Sequence, residues 1–369
     1  MNFLPWLIRI DGLLGTLLIK LLPPTNVQKA AGIRTPSTCL IIRPGGIGDA
    51  VLLAPMIRQI KLRFPGLIID FLVEKRNRSV IAMYGPVGQV YCYDRPLDLI
   101  KVLSRRYDAV IDTEQWYRLS AVVARLVRAG KRVGFATNAR SKMFSHPIVY
   151  SLDEYEVVSF FRLLEPFGIR AELPTDLSPF LQIPREAESR AASLCVGLNP
   201  ESLVVIFPGA SIPQKRWGGD RFRLVGRALA EKGLTLLVVG GAEESATGMR
   251  IVADGCGVNL AGKTSLTETA AIIAHAAAVV SGDSGILHLA YALGRPTVAL
   301  FGPSSVAKWA PQGARHIVIK HGLPCAPCSQ FGRTPTCLRK IECLRNIAVE
   351  EVTAAVCEVL HLTKEGNTN

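Results

Sequence analysis

Five stretches of this 369-residue chain hold residue types that can do chemistry. The first is Gly45-Gly-Ile-Gly-Asp49. Its glycines let a ligand or another segment come close to the backbone, and a carboxylate beside them can accept a proton. Asp49 could equally cap the helix after it by accepting backbone N–H bonds. Taken alone, the cap is the stronger reading. The second stretch is Pro208-Gly-Ala-Ser211 with Gln214-Lys-Arg-Trp217. It gathers a glycine, the Ser211 hydroxyl and the compact charge of Lys215 on one loop. Helix starts attract phosphate through free N–H groups and the helix dipole. A diphosphate site therefore fits this loop better than an exposed basic loop with Trp217 as a packing plug. The third is Gly240-Gly-Ala-Glu-Glu244. An acid one strand–helix unit beyond a phosphate loop often holds ribose hydroxyls. Glu243 and Glu244 would serve the dipole of the next helix equally well.

The fourth stretch, Ser281-Gly-Asp-Ser-Gly-Ile-Leu-His288, holds Asp283, Ser284 and Gly285 ahead of an apolar helix. Asp283 could be a cap, but Gly282 and Gly285 on either side point to close ligand approach. His288 reads most simply as a satisfied core histidine. The fifth is Cys325, Cys328, Cys337 and Cys343, spaced C-x2-C-x8-C-x5-C. Tetrahedral zinc is permitted, but the paired C-x2-C knuckles of common zinc ribbons are missing. Reduced thiols are favoured and no metal is expected.

These stretches need elements that bring them together. Cys39–Arg43, Leu67–Val73, Val90–Tyr93, Ala109–Asp112 and Arg132–Phe135 read as apolar strands. A helix from Ala50 to Phe64 and further helical stretches lie between them. After a Pro-rich linker, Pro174–Pro184, the pattern restarts. Strands are expected at Ser202–Phe207, Leu234–Val239, Ala278–Ser281 and Thr297–Phe301, with helices at Arg221–Lys232, Thr267–Ala277 and Ile286–Leu293. Alternating strands and helices build a parallel sheet covered on both faces. Two doubly wound Rossmann-like α/β domains in tandem, with an interdomain cleft, fit a GT-B architecture. The expected divisions are an amphipathic extension over 1–37, a first domain over 38–180 and a second over 185–360.

Composition narrows the class. Hydrophobic residues are 49% and charged residues 20%, which excludes a disordered chain. The net charge of +13 is uneven. Residues 1–150 hold 22 basic and 9 acidic residues, while the remainder is balanced at 21 of each. The first part is therefore expected to face something anionic. The opening segment carries Phe3, Leu4, Trp6, Leu7 and Ile8, then Leu13, Leu14, Leu17 and Leu18, and stops at Pro23-Pro24. It reads as a short amphipathic helix able to lie on a membrane surface or to pack on its own domain, with membrane contact slightly favoured. Nine scattered cysteines and no secretory signal point to the cytoplasm.

Several motifs in this order resemble glycosyltransferase family 9, the lipopolysaccharide heptosyltransferases. They are Ile42-Arg-Pro-Gly-Gly-Ile-Gly-Asp49, Phe207-Pro-Gly-Ala with Lys215-Arg-Trp217, Val239-Gly-Gly-Ala-Glu243, Leu260-Ala-Gly-Lys-Thr264, Asp283-Ser-Gly-Ile-Leu-His-Leu289 and Gly294-Arg-Pro-Thr-Val-Ala-Leu-Phe-Gly-Pro303. The Cys325–Cys328 pair is similar to the family as well. The resemblance implies an inverting, metal-independent transfer of heptose from ADP-heptose to a phosphorylated, lipid-linked core saccharide. Asp49 would be the general base. Ser211 and Lys215 would lie by the donor phosphates, Glu243 or Glu244 by the ribose, and Asp283, Ser284, Gly285 and His288 by the donor sugar. It implies no cofactor, and a cytoplasmic enzyme peripheral at the cytoplasmic face of the inner membrane. The N-terminal turn departs from the commoner Ser-Ser-Leu-Gly-Asp, and residues 1–37 lie outside the match. A family member with another nucleotide sugar or acceptor is the alternative. A nucleic-acid-binding module has only the charge in its favour.

Overall fold

The computed structural model describes residues 9–27, 35–174 and 177–366. The chain divides into two compact units, Met1–Pro174 and Thr175–Asn369. In the first, β1 (Thr38–Arg43), β2 (Ile68–Val73), β3 (Val90–Cys92), β4 (Arg106–Asp112), β5 (Arg128–Phe135) and β6 (His146–Ile148) form one sheet in the order β3-β2-β1-β4-β5-β6. Every pairing is parallel. Cys39, Leu40, Ile41 and Ile42 are all fully buried. An apolar run with no alternation is what a parallel strand covered on both faces requires.

The second unit repeats this plan. β7 (Leu203–Phe207), β8 (Thr235–Val238), β9 (Gly257–Asn259), β10 (Ala278–Gly282), β11 (Thr297–Phe301) and β12 (His316–Lys320) lie in the order β12-β11-β10-β7-β8-β9, all parallel. Both sheets thus have the doubly wound order, which reverses between the first and fourth strand of each. Ligands in such sheets bind outside the carboxyl ends of the strands at that switch point. The switch point lies between β1 and β4 in the first unit, and between β7 and β10 in the second.

Three strands were not expected from sequence: β6, β9 and β12. All three are sheet edges. β6 and β9 have three residues each, and β12 is only half-buried along most of its length. Edge strands need no long apolar run, and an edge tolerates Pro147. One helix boundary differs in a way that matters. The helix after β1 spans Ile47–Arg63 rather than starting at Ala50, and its N-cap is Gly46. Asp49 therefore lies inside the first turn and makes no cap bond.

Phe3, Leu4, Trp6, Leu7 and Ile8 lie outside the described residues. The segment after them packs on the first unit. A π-helical turn, Asp11–Gly15, leads into the helix Thr16–Leu21. Asp11 accepts the backbone N–H groups of Arg118 at 2.7 Å and Leu119 at 2.8 Å. It thereby caps the helix Leu119–Leu126, which has no side-chain cap of its own. Ile19 is buried in the same cluster as Leu40, Ile42, Val110 and Phe144. Leu13, Leu14, Leu17 and Leu21 remain exposed. Among the described residues, no helix is long and apolar enough to cross a membrane.

Candidate active site

At the β1/β4 switch point the turn Pro44–Gly46 is fixed by groups arriving from β2. Gly45 N–H donates to Glu74 Oε1 at 3.0 Å, and Asn77 Nδ2 donates to the Gly45 carbonyl at 2.9 Å. Gly45 has φ +97°, which strains any residue with a side chain. Arg43, the last residue of β1, is almost wholly buried. Its guanidinium donates to the Thr113 carbonyl at 2.8 Å and to Glu114 Oε2 at 3.1 Å, and one nitrogen lies 4.0 Å from Asp49 Oδ1. Burial pulls the Arg43 pKa down, but Asp49, Glu114, Glu156 and Asp112 outweigh it and hold it above its ordinary value.

Gln115 ties the group together. Its Nε2 donates to Asp49 Oδ1 at 2.9 Å and to Glu156 Oε1 at 2.7 Å. Tyr150 donates to the other oxygen of Glu156 at 2.8 Å. Burial pushes the carboxyls of Glu114 and Asp112 above their usual range, although Arg43 and Arg140 pull the other way. Arg140 meets Asp112 at 2.6 Å with both side chains fully buried. Within this set Asp49 is the open member, with 22% of its side chain exposed against 2% for Arg43 and 5% for Glu114. The cluster orients one accessible carboxylate, which suits proton acceptance.

The β7/β10 switch point gathers different groups. Lys215 ends the short turn Pro213–Lys215 after β7. Its Nζ lies 2.6 Å from Asp283 Oδ2, just past β10. His288 Nε2 lies 3.6 Å from the other Asp283 oxygen. Burial works to raise the Asp283 pKa, but Lys215 and His288 prevail and hold the carboxyl well below the usual range. The turns can approach because of Gly282: a Cβ there would stand 3.0 Å from the Lys215 carbonyl oxygen. Asp283 is not a cap. Ser284 caps the helix Gly285–Ala292, accepting from Leu287 N–H at 3.2 Å and meeting the Ser281 hydroxyl at 2.8 Å. His288 is buried, but it is not a satisfied core histidine: its Nδ1 has no partner among the described residues.

The remaining expected residues separate into open and occupied. Ser211 and Glu243 are exposed beside the Lys215 turn and past β8 respectively. Glu244 is buried, accepts the Gly241 N–H at 3.0 Å and abuts Gly209, where an added Cβ would meet its Oε1 at 2.4 Å. Its carboxylate thus braces two turns. Trp217 is a core plug: its ring stands edge-on to Phe222 at 4.9 Å and its Nε1 donates to the Ile347 carbonyl at 3.2 Å. Sequence reasoning assigned no role to Arg43, Glu114, Gln115 or Glu156. The signal available for two of them was position, since Thr113-Glu-Gln115 comes directly after β4, as the Asp283 turn comes directly after β10.

The sequence profile of "Glycosyltransferase family 9 (heptosyltransferase)" matches residues 97–337. Lipooligosaccharide heptosyltransferase 2 of Haemophilus ducreyi is 27% identical over 306 residues, covering 76% of this chain and 88% of the relative. Lipopolysaccharide heptosyltransferase 3 of Escherichia coli K12 is 29% identical over 287 residues, covering 72% and 82%. The solved structure of E. coli ADP-heptose lps heptosyltransferase II aligns with a TM-score of 0.73 at 24% identity, over 89% of this chain and 99% of that one. That of E. coli heptosyltransferase WaaC with ADP gives 0.70 at 19%, over 87% and 99%. These likenesses show the fold, a GT-B pair of Rossmann-like domains. With the profile spanning more than half of its length, the chain belongs to glycosyltransferase family 9, the lipopolysaccharide heptosyltransferase family.

Proposed function

We propose that this glycosyltransferase moves heptose from ADP-heptose to a phosphorylated, lipid-linked core saccharide, with inversion at the anomeric carbon. The observation that carries the reading is the Lys215–Asp283–His288 group at the β7/β10 switch point. A lysine is a point charge suited to a diphosphate. Asp283, kept ionised, can only accept hydrogen bonds, which suits sugar hydroxyls. Ser211 and the Pro208–Ala210 turn would line the diphosphate, and Glu243 rather than Glu244 has a carboxylate free for the ribose.

In the reaction the acceptor oxygen attacks the anomeric carbon and its proton passes to Asp49. The bond from that carbon to the diphosphate oxygen breaks, and its electron pair leaves with ADP. Lys215 and backbone N–H groups offset the charge that develops there. The chemistry asks for no cofactor. The acceptor's phosphates and lipid would meet the basic first 150 residues. The exposed face of Leu13, Leu14, Leu17 and Leu21 would rest on the cytoplasmic face of the inner membrane. The relatives' names support the donor and acceptor class.

A donor screen tests the proposal. The protein is incubated with ADP-heptose, ADP-glucose, UDP-glucose and UDP-N-acetylglucosamine in the presence of defined core acceptors, and released nucleotide is measured. Acceptor-dependent release of ADP from ADP-heptose, well above the other donors, is expected. A preference for a UDP-sugar would overturn the donor assignment.

A further inference from the structure

Gln115, the side chain that joins Asp49 to Glu156, sits on Thr113–Arg118, a segment between β4 and the helix Leu119–Leu126 that is neither strand nor helix. Such a segment is held by whatever its backbone groups bond to. Two carboxylates take its N–H groups in succession. Glu114 Oε1 accepts from Trp116 at 3.0 Å and from Tyr117 at 3.3 Å. Asp11 Oδ1 accepts from the next two, Arg118 at 2.7 Å and Leu119 at 2.8 Å. The carbonyls are taken by the connection between β5 and β6. Asn138 Nδ2 donates to the Trp116 carbonyl at 2.8 Å, and Arg140 Nε to that of Tyr117 at 3.1 Å. Glu114, Asn138 and Arg140 belong to the sheet and its loops. Asp11 comes from the opening segment, 107 residues before Arg118.

That opening segment is shaped to reach this place. Asp11 is only 5% exposed, and a buried carboxylate is costly unless it is bonded. Its second oxygen lies 3.9 Å from the Arg118 guanidinium. Gly15 lets the backbone come this close: a Cβ there would stand 2.8 Å from Arg118 Cβ and 3.5 Å from the Leu119 nitrogen. Ile19 anchors the next turn in the core of the unit. Farther on, the Thr25 N–H donates to the Lys142 carbonyl at 2.8 Å, and the Thr25 hydroxyl to that of Met143 at 3.1 Å. Lys142 and Met143 end the short turn Ala139–Met143, which carries Arg140. The segment therefore fastens both stretches that build the surroundings of Asp49. None of the family motifs reaches it, so the resemblance gives it no part in the reaction.

We propose that residues 11–25 brace the proton-accepting site of the first unit, and that Asp11 is a positioning residue for transfer, acting through Gln115 on Asp49. The inference rests on the reading of Asp49 as the base. β4 fixes one end of the Thr113–Arg118 segment and Asp11 fixes the other, which keeps Gln115 within hydrogen-bond reach of Asp49. Without Asp11, the N–H groups of Arg118 and Leu119 turn to water and that end of the segment gains freedom. Gln115 then spends less time aimed at Asp49, and transfer slows because the reacting groups are less often in line. Lys215, Asp283 and His288 belong to the second unit and keep their own bonds.

The test compares full-length Asp11→Ala and Asp11→Asn with the parent. Asn keeps an acceptor oxygen and caps as well as Asp does. Hydrogen exchange is read first, because it needs no substrate. The amides of residues 116–119 should exchange about fivefold faster or more in Asp11→Ala, the loss of one cap, while those of 285–292 stay parental and Asp11→Asn restores protection. Single-turnover transfer is then measured with the donor that the screen above selects. Asp11→Ala should be slower by about 10- to 10²-fold with ADP affinity unchanged, and Asp11→Asn close to the parent. In a Gln115→Ala background, Asp11→Ala should slow transfer no further, since the side chain it positions is gone. Gly15→Ala keeps every acceptor but presses a methyl on Arg118; it should shift both readouts the same way and serves if Asp11→Ala does not fold. The inference is overturned by parental exchange at 116–119, by parental transfer, by a loss of ADP affinity as large as the loss of transfer, or by slowing that multiplies with that of Gln115→Ala. Asp49→Asn in the same assay separates the two readings. If it is slow while Asp11→Ala is parental, the brace fails and the base stands. If it transfers at the parental rate, the base reading fails, and the proposed action of Asp11 on transfer fails with it, whatever the exchange shows.

Discussion

The two units have the same strand order, and each gathers polar groups where that order reverses, but the groups differ in kind. At β1/β4, Asp49, Asp112, Glu114 and Glu156 surround the buried guanidiniums of Arg43 and Arg140, and only Asp49 is partly open to solvent. At β7/β10, a single carboxylate, Asp283, is held between a lysine and a histidine. The scaffold decides where chemistry can sit, and the side chains decide which chemistry it is. The first arrangement presents an acceptor for a proton. The second holds a cation and an ionised hydrogen-bond acceptor, which on the proposed reading would meet an anionic, hydroxyl-bearing ligand. The electrostatics of the two also run in opposite directions. Burial prevails at Glu114 and Asp112 and raises them, whereas at Asp283 the neighbouring cations prevail and lower it.

The contrast can be broken by substitution. Asp283→Ala should have the largest effect on stability. It strands Lys215 and His288 in a mostly buried site, a change that costs about 3–5 kcal/mol in comparable pairs. Denaturant titration and ADP binding should both fall; parental values in both would remove Asp283 from its central place. Gln115→Ala should be milder, about 1–3 kcal/mol, since it leaves Asp49 and Glu156 without their shared donor. Its effect should appear in kcat more than in the donor KM. A change confined to KM would show that Gln115 does not position the base.

The opposite electrostatics predict opposite pH behaviour. The folded pKa of Asp283 is depressed, so its contribution is present above the ordinary carboxylate value of about 4 and is lost as the pH falls below it. The stability gap between the parent and Asp283→Asn should therefore narrow from pH 6 to pH 3. The folded pKa of Glu114 is raised, so its contribution is present at low pH and lost as the pH rises through the folded value. Relative to Glu114→Gln, the parent should lose ground as the pH rises from 4 to 8. Parallel curves for both pairs would contradict the assigned directions. The smallest effect on chemistry is expected from Leu17→Ser with Leu21→Ser. It should leave turnover on a soluble acceptor unchanged and reduce sedimentation with anionic vesicles; unchanged sedimentation would remove this face from membrane contact.

Sequence was most informative where one physical demand dominates. β1, β2, β7, β10 and β11 announce themselves as apolar runs because both faces are covered, and their observed bounds lie within a residue of expectation. The edges β6, β9 and β12 carry no such demand and were missed. In the second unit, glycine-marked turns pointed to Lys215 and Asp283, because close approach needs glycine there, whereas the residues alone read His288 as a satisfied core histidine. In the first unit the same signal found Asp49 but not its partners. Gln115 and Glu156 come from the end of β4 and from a helix start far along the chain, and only the sheet order sets β4 beside β1. The orphaned Nδ1 of His288 is likewise invisible in a sequence, since it depends on what does not surround it.

The division of labour between the two switch points is tested most directly by comparing Asp49→Asn with Lys215→Ala. For each, ADP affinity is measured by calorimetry and transfer is measured in a single turnover. Asn at 49 should leave ADP affinity essentially unchanged while slowing transfer about 10²–10⁴-fold. Ala at 215 should weaken ADP binding by about tenfold or more. If Asp49→Asn transferred sugar at the parental rate, or lost ADP affinity as fully as Lys215→Ala, the assignment of base to one unit and donor to the other would be contradicted.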